Sequence, residues 1–282
     1  MLYYSKPLKT FLNVITVLFC VLYLFPIYLI LTNSFKSRSQ MYENMVSLPK
    51  SLSLQYYMSA LEKMNFFTSL KNSLILTVVS ITVIVIFASM TAWMFVRSNN
   101  KLSVVLFDIL VATMLIPFQT IMMPLMQEMN WFGFTLGIKM TDTIPGLIFM
   151  YLGFGAGMGV FLYHGFISSI PVSLEEAATI DGCNTWKTFW QIVFPMLKPT
   201  TMTVIILDVI WIWNDYLLPS LTLKSTANRT IPISTAKFFG QYTISWNEAM
   251  AALVVTIIPV VIFYLACQKY IVEGVAAGAV KG

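Results

Sequence analysis

Three carboxylates stand inside otherwise apolar stretches of this chain, namely Asp108, Asp208 and Asp215. An ionisable group in lipid is costly, so each is by default a functional candidate. Asp208 lies about 15 Å of helix rise beyond Lys198, which places it near the centre of a bilayer. On a continuous helix Trp211, Ile212 and Asp215 share its face, and Asn214 adjoins it. Such a seam offers an aromatic plane for stacking, together with carboxylate and amide groups for bonding hydroxyls. It suits the lining of a polar path through the membrane and equally suits pairing with a neighbouring membrane helix. Asp108 is about 10 Å of helix rise from Lys101 and reads as a structural carboxylate at the interface or beside a basic neighbour. Gln119, between Pro117 and Pro124, is a further candidate for the same path, or a partner for backbone groups that the prolines free.

Other chemistries have no constellation to stand on. The single histidine, His164, sits between Tyr163 and Gly165 and reads as an interfacial residue. Cys20, Cys183 and Cys267 are far apart without metal-ligand spacing, which gives neither a disulfide framework nor a zinc site. No Gly-x-x-x-x-Gly-Lys-Ser/Thr loop occurs to cradle phosphates, so the chain is not expected to hydrolyse a nucleotide itself. It is read as a protein without a catalytic site or a bound cofactor.

One polar segment is deliberately bounded. In residues 168–198, Ser173 followed by Glu176 fits a capping box, Ala177 and Ala178 favour helix, and Gly182 supplies a left-handed stop. A second short helix is expected over residues 185–194, capped by Asn184 or Thr185 and ended by Pro195. Two short helices meeting at Asp181-Gly182 make a compact knob outside the membrane. As spacing alone, this is a stable helix-turn-helix loop.

The elements that must position these residues are membrane helices. Of 282 residues 58% are hydrophobic and only 10% charged, and the mean hydropathy is +0.78. Soluble proteins carry about 25% charged residues, so lipid surrounds most of this chain, and soluble enzymes and disordered binders are excluded. The net charge of +5 is scattered between apolar runs, which makes nucleic acid a poor partner. With about 20 apolar residues needed per helix, spans are expected at residues 11–32, 72–96, 102–126, 143–163, 199–218 and 249–268. The first is too long for a secretory signal and is read as retained. The third is expected to be kinked or interrupted at its prolines. Gly153, Gly155, Gly157 and Gly159 read as close helix packing. About six spans put both termini on one side. Lys and Arg divide almost evenly between the two sets of loops, so charge does not orient the chain.

Glu176-Ala177-Ala178, then Gly182, then Ile192-x-Phe194-Pro195 resembles the EAA loop of bacterial ABC importer permeases, with Phe194 where that family has Leu. Asp181 before Gly182, Ile116-Pro117 with Pro124, the run from Trp213 to Leu217, and the glycine-rich ending through Gly278, Lys281 and Gly282 resemble its carbohydrate-uptake branch. The likeness runs from the third span to the C-terminus and is to the smaller, maltose-type permease. It implies an all-α polytopic fold of the type I importer permease kind, with a cytoplasmic segment 1–10, a six-helix domain 11–268 and a cytoplasmic tail 269–282. It implies further that Glu176, Ala177, Ala178, Asp181, Gly182, Ile192 and Pro195 dock against an ATPase subunit, which gives a cytoplasmic N-terminus. Gly278, Lys281 and Gly282 would also contact the ATPases. The expected partners are a second related permease, two ATPase subunits that bind ATP and magnesium, an extracytoplasmic solute-binding protein reached through residues 224–248, a carbohydrate and membrane lipid. The alternative is an ion-driven secondary transporter that uses Asp208 and Asp215.

Overall fold

Long apolar runs in lipid satisfy their backbone only within helices, and the chain follows that rule. A computed structural model describes residues 6–98, 100–240 and 244–279, the last ten as backbone alone. Among the described residues, four helices are long and apolar enough to cross a membrane. These are α1 (Lys6–Asn33), α4 (Phe66–Ser98), α7 (Ile144–Ile167) and α14 (Trp246–Ala279). Between α1 and α4 lie the short α2 (Arg38–Glu43) and α3 (Gln55–Lys63). Two bent pairs raise the number of spans to as many as six.

The first pair is α5 (Lys101–Thr113) and α6 (Phe118–Leu136), bent by 107°. The expected interruption is present: Pro117 is the N-cap of α6 at ψ 131°, which no helix continues. α6 runs on well past residue 126, to a left-handed Gly137 at φ 65°. Pro124 is accommodated inside it. The second pair joins the helical segment Thr185–Met196 to α11 (Lys198–Asn214) at a 74° bend. α12 (Leu217–Thr222) and α13 (Ile231–Ala236) follow. α14 carries straight through the expected tail boundary at 268–269, its backbone helical to Ala279.

Two compact units can be described separately. One comprises Met1–Phe67 and Ser234–Ile262. Within it Asn33 Nδ2 donates to the Met45 carbonyl at 2.9 Å. Lys36, only 1% exposed, donates its ammonium to the carbonyls of Asn44 and Met45 at 3.1 and 3.0 Å, and burial lowers its pKa. Glu248 accepts from Lys63 at 2.6 Å and from Ser59 at 2.7 Å, tying the start of α14 to α3.

The other unit comprises Thr68–Ile233 and Phe263–Gly282. Its core is a cluster built on α4, α7 and α11 that includes Ile84, Ala88, Leu147, Tyr151, Val160, Tyr163, Val204 and Ile212. The glycines of α7 explain how closely the helices approach. A Cβ on Gly155 would stand 2.5 Å from Ile84, one on Gly159 2.8 Å from Ala88, and one on Gly157 3.0 Å from Met114. Gly155 and Gly159 thus form the α4 contact and Gly157 the α5 contact, as small-xxx-small packing requires. Gly153 faces open space. His164 stacks on Phe107 of α5 at 4.0 Å between ring centres, a packing role at that end of the helix pair.

Candidate coupling hairpin and translocation face

The bounded polar segment folds as two short helices, but its first cap differs from the expectation. α8 spans Ser173–Ile180 with Val172 as N-cap and no side-chain cap bond. Val172 already has helical angles, φ −61° and ψ −31°, so Ser173 lies inside the first turn and the capping box does not form. Glu175 and Glu176 instead stand in that first turn, where the positive end of the helix dipole favours them. The stop is as expected. Gly182 takes φ +84°, its N–H reaches the Thr179 carbonyl at 3.0 Å, and the Cys183 N–H reaches that of Ala178 at 2.9 Å. This pair of bonds is the Schellman closure.

α9 (Thr185–Thr188) is capped by Asn184, whose side chain accepts from the Lys187 N–H at 2.9 Å. Pro195 does not end the second helix. A π turn at Phe189–Val193 precedes it, followed by α10 (Phe194–Met196) and a break at Leu197. Proline lacks an N–H and its ring crowds the carbonyl four residues earlier; widening the preceding turn relieves both. The widened turn keeps Phe189, Val193 and Leu197 buried on one side. Glu176, Ala177, Asp181, Gly182 and Pro195 are exposed and Ile192 is half-buried. Ala178 is 6% exposed, so only Ala177 of the alanine pair contributes to an outward face; Ala178 packs inside the hairpin.

The hairpin is held to α4 by residues that the spacing did not single out. Glu175 accepts from Arg97 and from Trp93, both in the closing turns of α4. Only the fold brings these together across some eighty residues of sequence, and the one sequence signal is an arginine at the end of a span facing a doubled glutamate.

The seam expected on the fifth span is divided. α11 ends at Asn214, and Asp215 leaves the helix at ψ 123°. Asp208 and Ile212 are buried, at 5% and 2%, whereas Trp211 and Asn214 are exposed. Asp215 turns to Tyr151 of α7, accepting its hydroxyl at 2.8 Å, and accepts the N–H of Leu217, the first residue of α12, at 2.9 Å. Trp211 meets the same Tyr151 edge to face at 5.4 Å. Tyr151, Trp211 and Asp215 therefore form one cluster, in which Tyr151 was hidden from sequence reading by its charge-free surroundings. Asp208 Oδ2 has no hydrogen-bonding partner among the described residues. Gln119 is exposed in the first turn of α6 and Asp108 on an open face of α5. The tail backbone includes Gly278 in α14, whereas Lys281 and Gly282 lie outside the described residues.

At the other end of α7 a second polar hub joins two loops. Asp142, at φ +57°, accepts the N–H groups of Lys224 and Ser225 and the Ser225 hydroxyl on one oxygen, each at 2.9 Å. Lys139 approaches the other oxygen at 3.3 Å. The Ser225 backbone N–H, with its hydroxyl, the Lys224 N–H and Lys139, holds this carboxyl well below the usual carboxylate range against the opposing effect of burial. The start of the loop 224–248 is fixed there.

Comparison with known proteins matches residues 84–276 to the family described as binding-protein-dependent transport system inner membrane component. The chain is 48% identical over 98% of its length, and 97% of the relative's, to a probable starch degradation products transport system permease protein of Thermoanaerobacterium thermosulfurigenes. It is 35% identical to a melibiose/raffinose/stachyose import permease protein of Bacillus subtilis, over 91% of each chain. Among solved structures, a chain of a bacterial ABC transporter involved in the import of the acidic polysaccharide alginate superposes with a TM-score of 0.82. It is 25% identical, covering 96% of this chain and 99% of that one.

Proposed function

We propose that this chain, which belongs to the family of binding-protein-dependent transport system inner membrane components, is one of two permease subunits of a bacterial ATP-driven importer that takes up a carbohydrate, an oligosaccharide first of all. The observation that carries the reading is the hairpin. Its first helix is closed by a left-handed Gly182 and presents Glu176, Ala177 and Asp181 to the outside, a narrow, acidic-edged face that fits a groove with a basic rim. ATPase subunits binding ATP and magnesium dock there, which puts the hairpin and both termini in the cytoplasm. A second, related permease completes the path, and an extracytoplasmic solute-binding protein delivers the sugar to the loops fixed at Asp142. The relatives named for starch products and for melibiose, raffinose and stachyose support the substrate class.

Closure of the ATPases moves the hairpins, and the path turns from inward-facing to outward-facing. Trp211, with Asn214 beside it, supplies the stacking plane and amide for sugar hydroxyls. Tyr151 and Asp215 hold that indole in place at the junction of α11 and α12. Asp208 and Gln119 are the weaker members of the same path, the first because it is buried and the second because it stands on a separate helix. The tail residues Gly278, Lys281 and Gly282 are assigned to ATPase contact by the same reading.

The test is purification of the tagged chain from its native membrane in mild detergent, with identification of what remains bound. An ATPase and a second permease are expected. Glu176→Lys and Gly182→Leu are expected to abolish uptake in assembled complexes; wild-type uptake and coupled ATPase activity in both would reject the coupling role. Ion-driven uptake by this chain alone would reject the importer in favour of a secondary transporter.

A further inference from the structure

The closing turns of α4 hold the hairpin by two side chains. Arg97 donates through Nε to Glu175 Oε1 at 2.9 Å; its Nη2 lies 2.8 Å from the same oxygen and donates to the Ile170 carbonyl at 3.1 Å. One turn earlier, Trp93 Nε1 donates to Glu175 Oε2 at 3.0 Å. Both carboxylate oxygens are thus bonded by a single helix, and the Arg97 and Glu175 side chains are only 19% and 12% exposed. A pair this shielded leaves an uncompensated charge when one partner is removed, unlike a surface ion pair. The same indole packs on Phe189 at 5.3 Å between ring centres. Phe189 is 1% exposed and opens the π turn. Two residues of α4 therefore engage both helices of the hairpin, one through a carboxylate and the other through a ring.

Successive residues on a helix point about 100° apart, and the adjacent glutamates use that divergence. Glu175 turns inward to α4 while Glu176 is exposed. We propose that Glu175, Arg97 and Trp93 form the transmission clamp of this subunit, positioning residues that make the hairpin and the end of α4 move as one body. The proposal rests on the coupling role given above to the exposed face of α8. A displacement imposed there reaches α4 through the clamp, and α4 carries it to Ile84 and Ala88, the residues packed on Gly155 and Gly159 of α7. Without the clamp the hairpin yields by itself.

Two variants test this in the complete complex, reconstituted with its binding protein. Glu175→Gln keeps the shape and an acceptor for Trp93 but removes the charge pair. Arg97→Cys with Glu175→Cys, on a background in which Cys20, Cys183 and Cys267 are serine, removes the clamp and allows its covalent replacement. The expected result for Glu175→Gln, and for the double-cysteine variant with its thiols capped singly, is that the ATPases stay bound and active. Sugar moved per ATP hydrolysed should fall about tenfold, within the usual range of coupling between sites. Bridging the two cysteines with a short bis-maleimide is expected to restore the wild-type ratio, which a merely structural role would not produce. An unchanged ratio in the capped variant, or no recovery on bridging, overturns the clamp. Absence of ATPase from the wild-type complex refutes the coupling reading itself, and the clamp with it.

Discussion

Asp142 has φ +57°, a conformation that Asp and Asn adopt at little cost and most side chains do not. Its pKa is depressed in the fold, chiefly by the backbone N–H of Ser225. A carboxylate of this kind contributes stability above its unfolded pKa, about 4, and loses it as pH falls through the folded value. Asp142→Asn keeps the conformation and an acceptor but not the charge, so its deficit in unfolding midpoint should be full at neutral pH. That deficit should begin to shrink below about pH 4, where the carboxyl of the unfolded chain takes up a proton, and should close only as pH falls through the depressed folded value. Thermal unfolding in detergent across that range measures it; a deficit constant with pH would mean that the charge is not what holds Lys224 and Ser225. Asp142→Ala should do worse at every pH, losing the acceptors and adding about 1–2 kcal/mol of left-handed strain. Gly182 isolates the strain alone, because nothing lies within 4 Å of an added Cβ. Gly182→Ala should therefore cost about 1 kcal/mol without a clash. It should lower ATP-driven uptake more than it lowers the unfolding midpoint, since the turn sets the angle between the two helices of the hairpin proposed to dock.

At the scale of elements, α7 makes opposite predictions for glycines a few residues apart. Gly153 meets nothing, so Gly153→Ala should stabilise by up to about 1 kcal/mol through helix propensity. A Cβ on Gly159 would stand 2.8 Å from the Ala88 side chain, which has no rotamer to retreat into, and Gly159→Ala should cost about 1–3 kcal/mol. On Gly146 it would stand 1.8 Å from the Met140 carbonyl, and that substitution should prevent the α6–α7 connection from closing. Unfolding midpoints of the three variants rank the contacts, and equal effects would dismiss this packing. The same helix shows what sequence can reveal. The spans were legible because length and apolarity alone decide them, and the break before Phe118 because Pro117 cannot continue a helix. The 107° angle at that break was not legible, because the contacts α6 makes, such as Phe132 on Phe149 of α7, join residues that no local pattern relates. The division of the Asp208 seam was hidden for a related reason: the apolar pattern runs on past Asn214, and the partners that Asp215 meets where the helix ends, the Tyr151 hydroxyl and the Leu217 N–H, are brought to it only by the fold. Similarly, nothing in the sequence marks Glu175 as an inward partner until Arg97 arrives from α4. The capping box failed because Val172 extended the helix by one residue and moved Ser173 out of the cap.

For the whole molecule, the decisive surface is the polar part of what the chain leaves uncovered. α1 has none of its most apolar window buried, yet an apolar helix in lipid needs no cover, because lipid tails are as apolar as leucine. Asp108, Gln119 and Asn214 are different: all three lie in the bent helix pairs or at their ends, and all three are exposed. A carboxylate such as Asp108 costs about 2.5–3.5 kcal/mol at a helix centre in lipid, and an amide also requires polar partners there, of which Asn214 finds one in its own helix, donating Nδ2 to the Ile210 carbonyl at 2.7 Å. A second permease, or the water of a shared path, is the physical remedy, and a lone chain has neither. The chain expressed alone should therefore be recovered in low yield or aggregated, and co-expression with the second permease proposed above should restore a monodisperse peak in size-exclusion chromatography. Replacing Asp108, Gln119 and Asn214 together with Leu should raise the yield of the lone chain and at the same time reduce transport by the assembled complex. If the triple variant gains nothing alone, these side chains are already solvated within the single subunit and the path does not need a second permease to close it. If it gains stability and the complex still transports at the wild-type rate, the three residues serve assembly only, and the sugar-binding face proposed above reduces to Trp211, held in place by Tyr151 and Asp215.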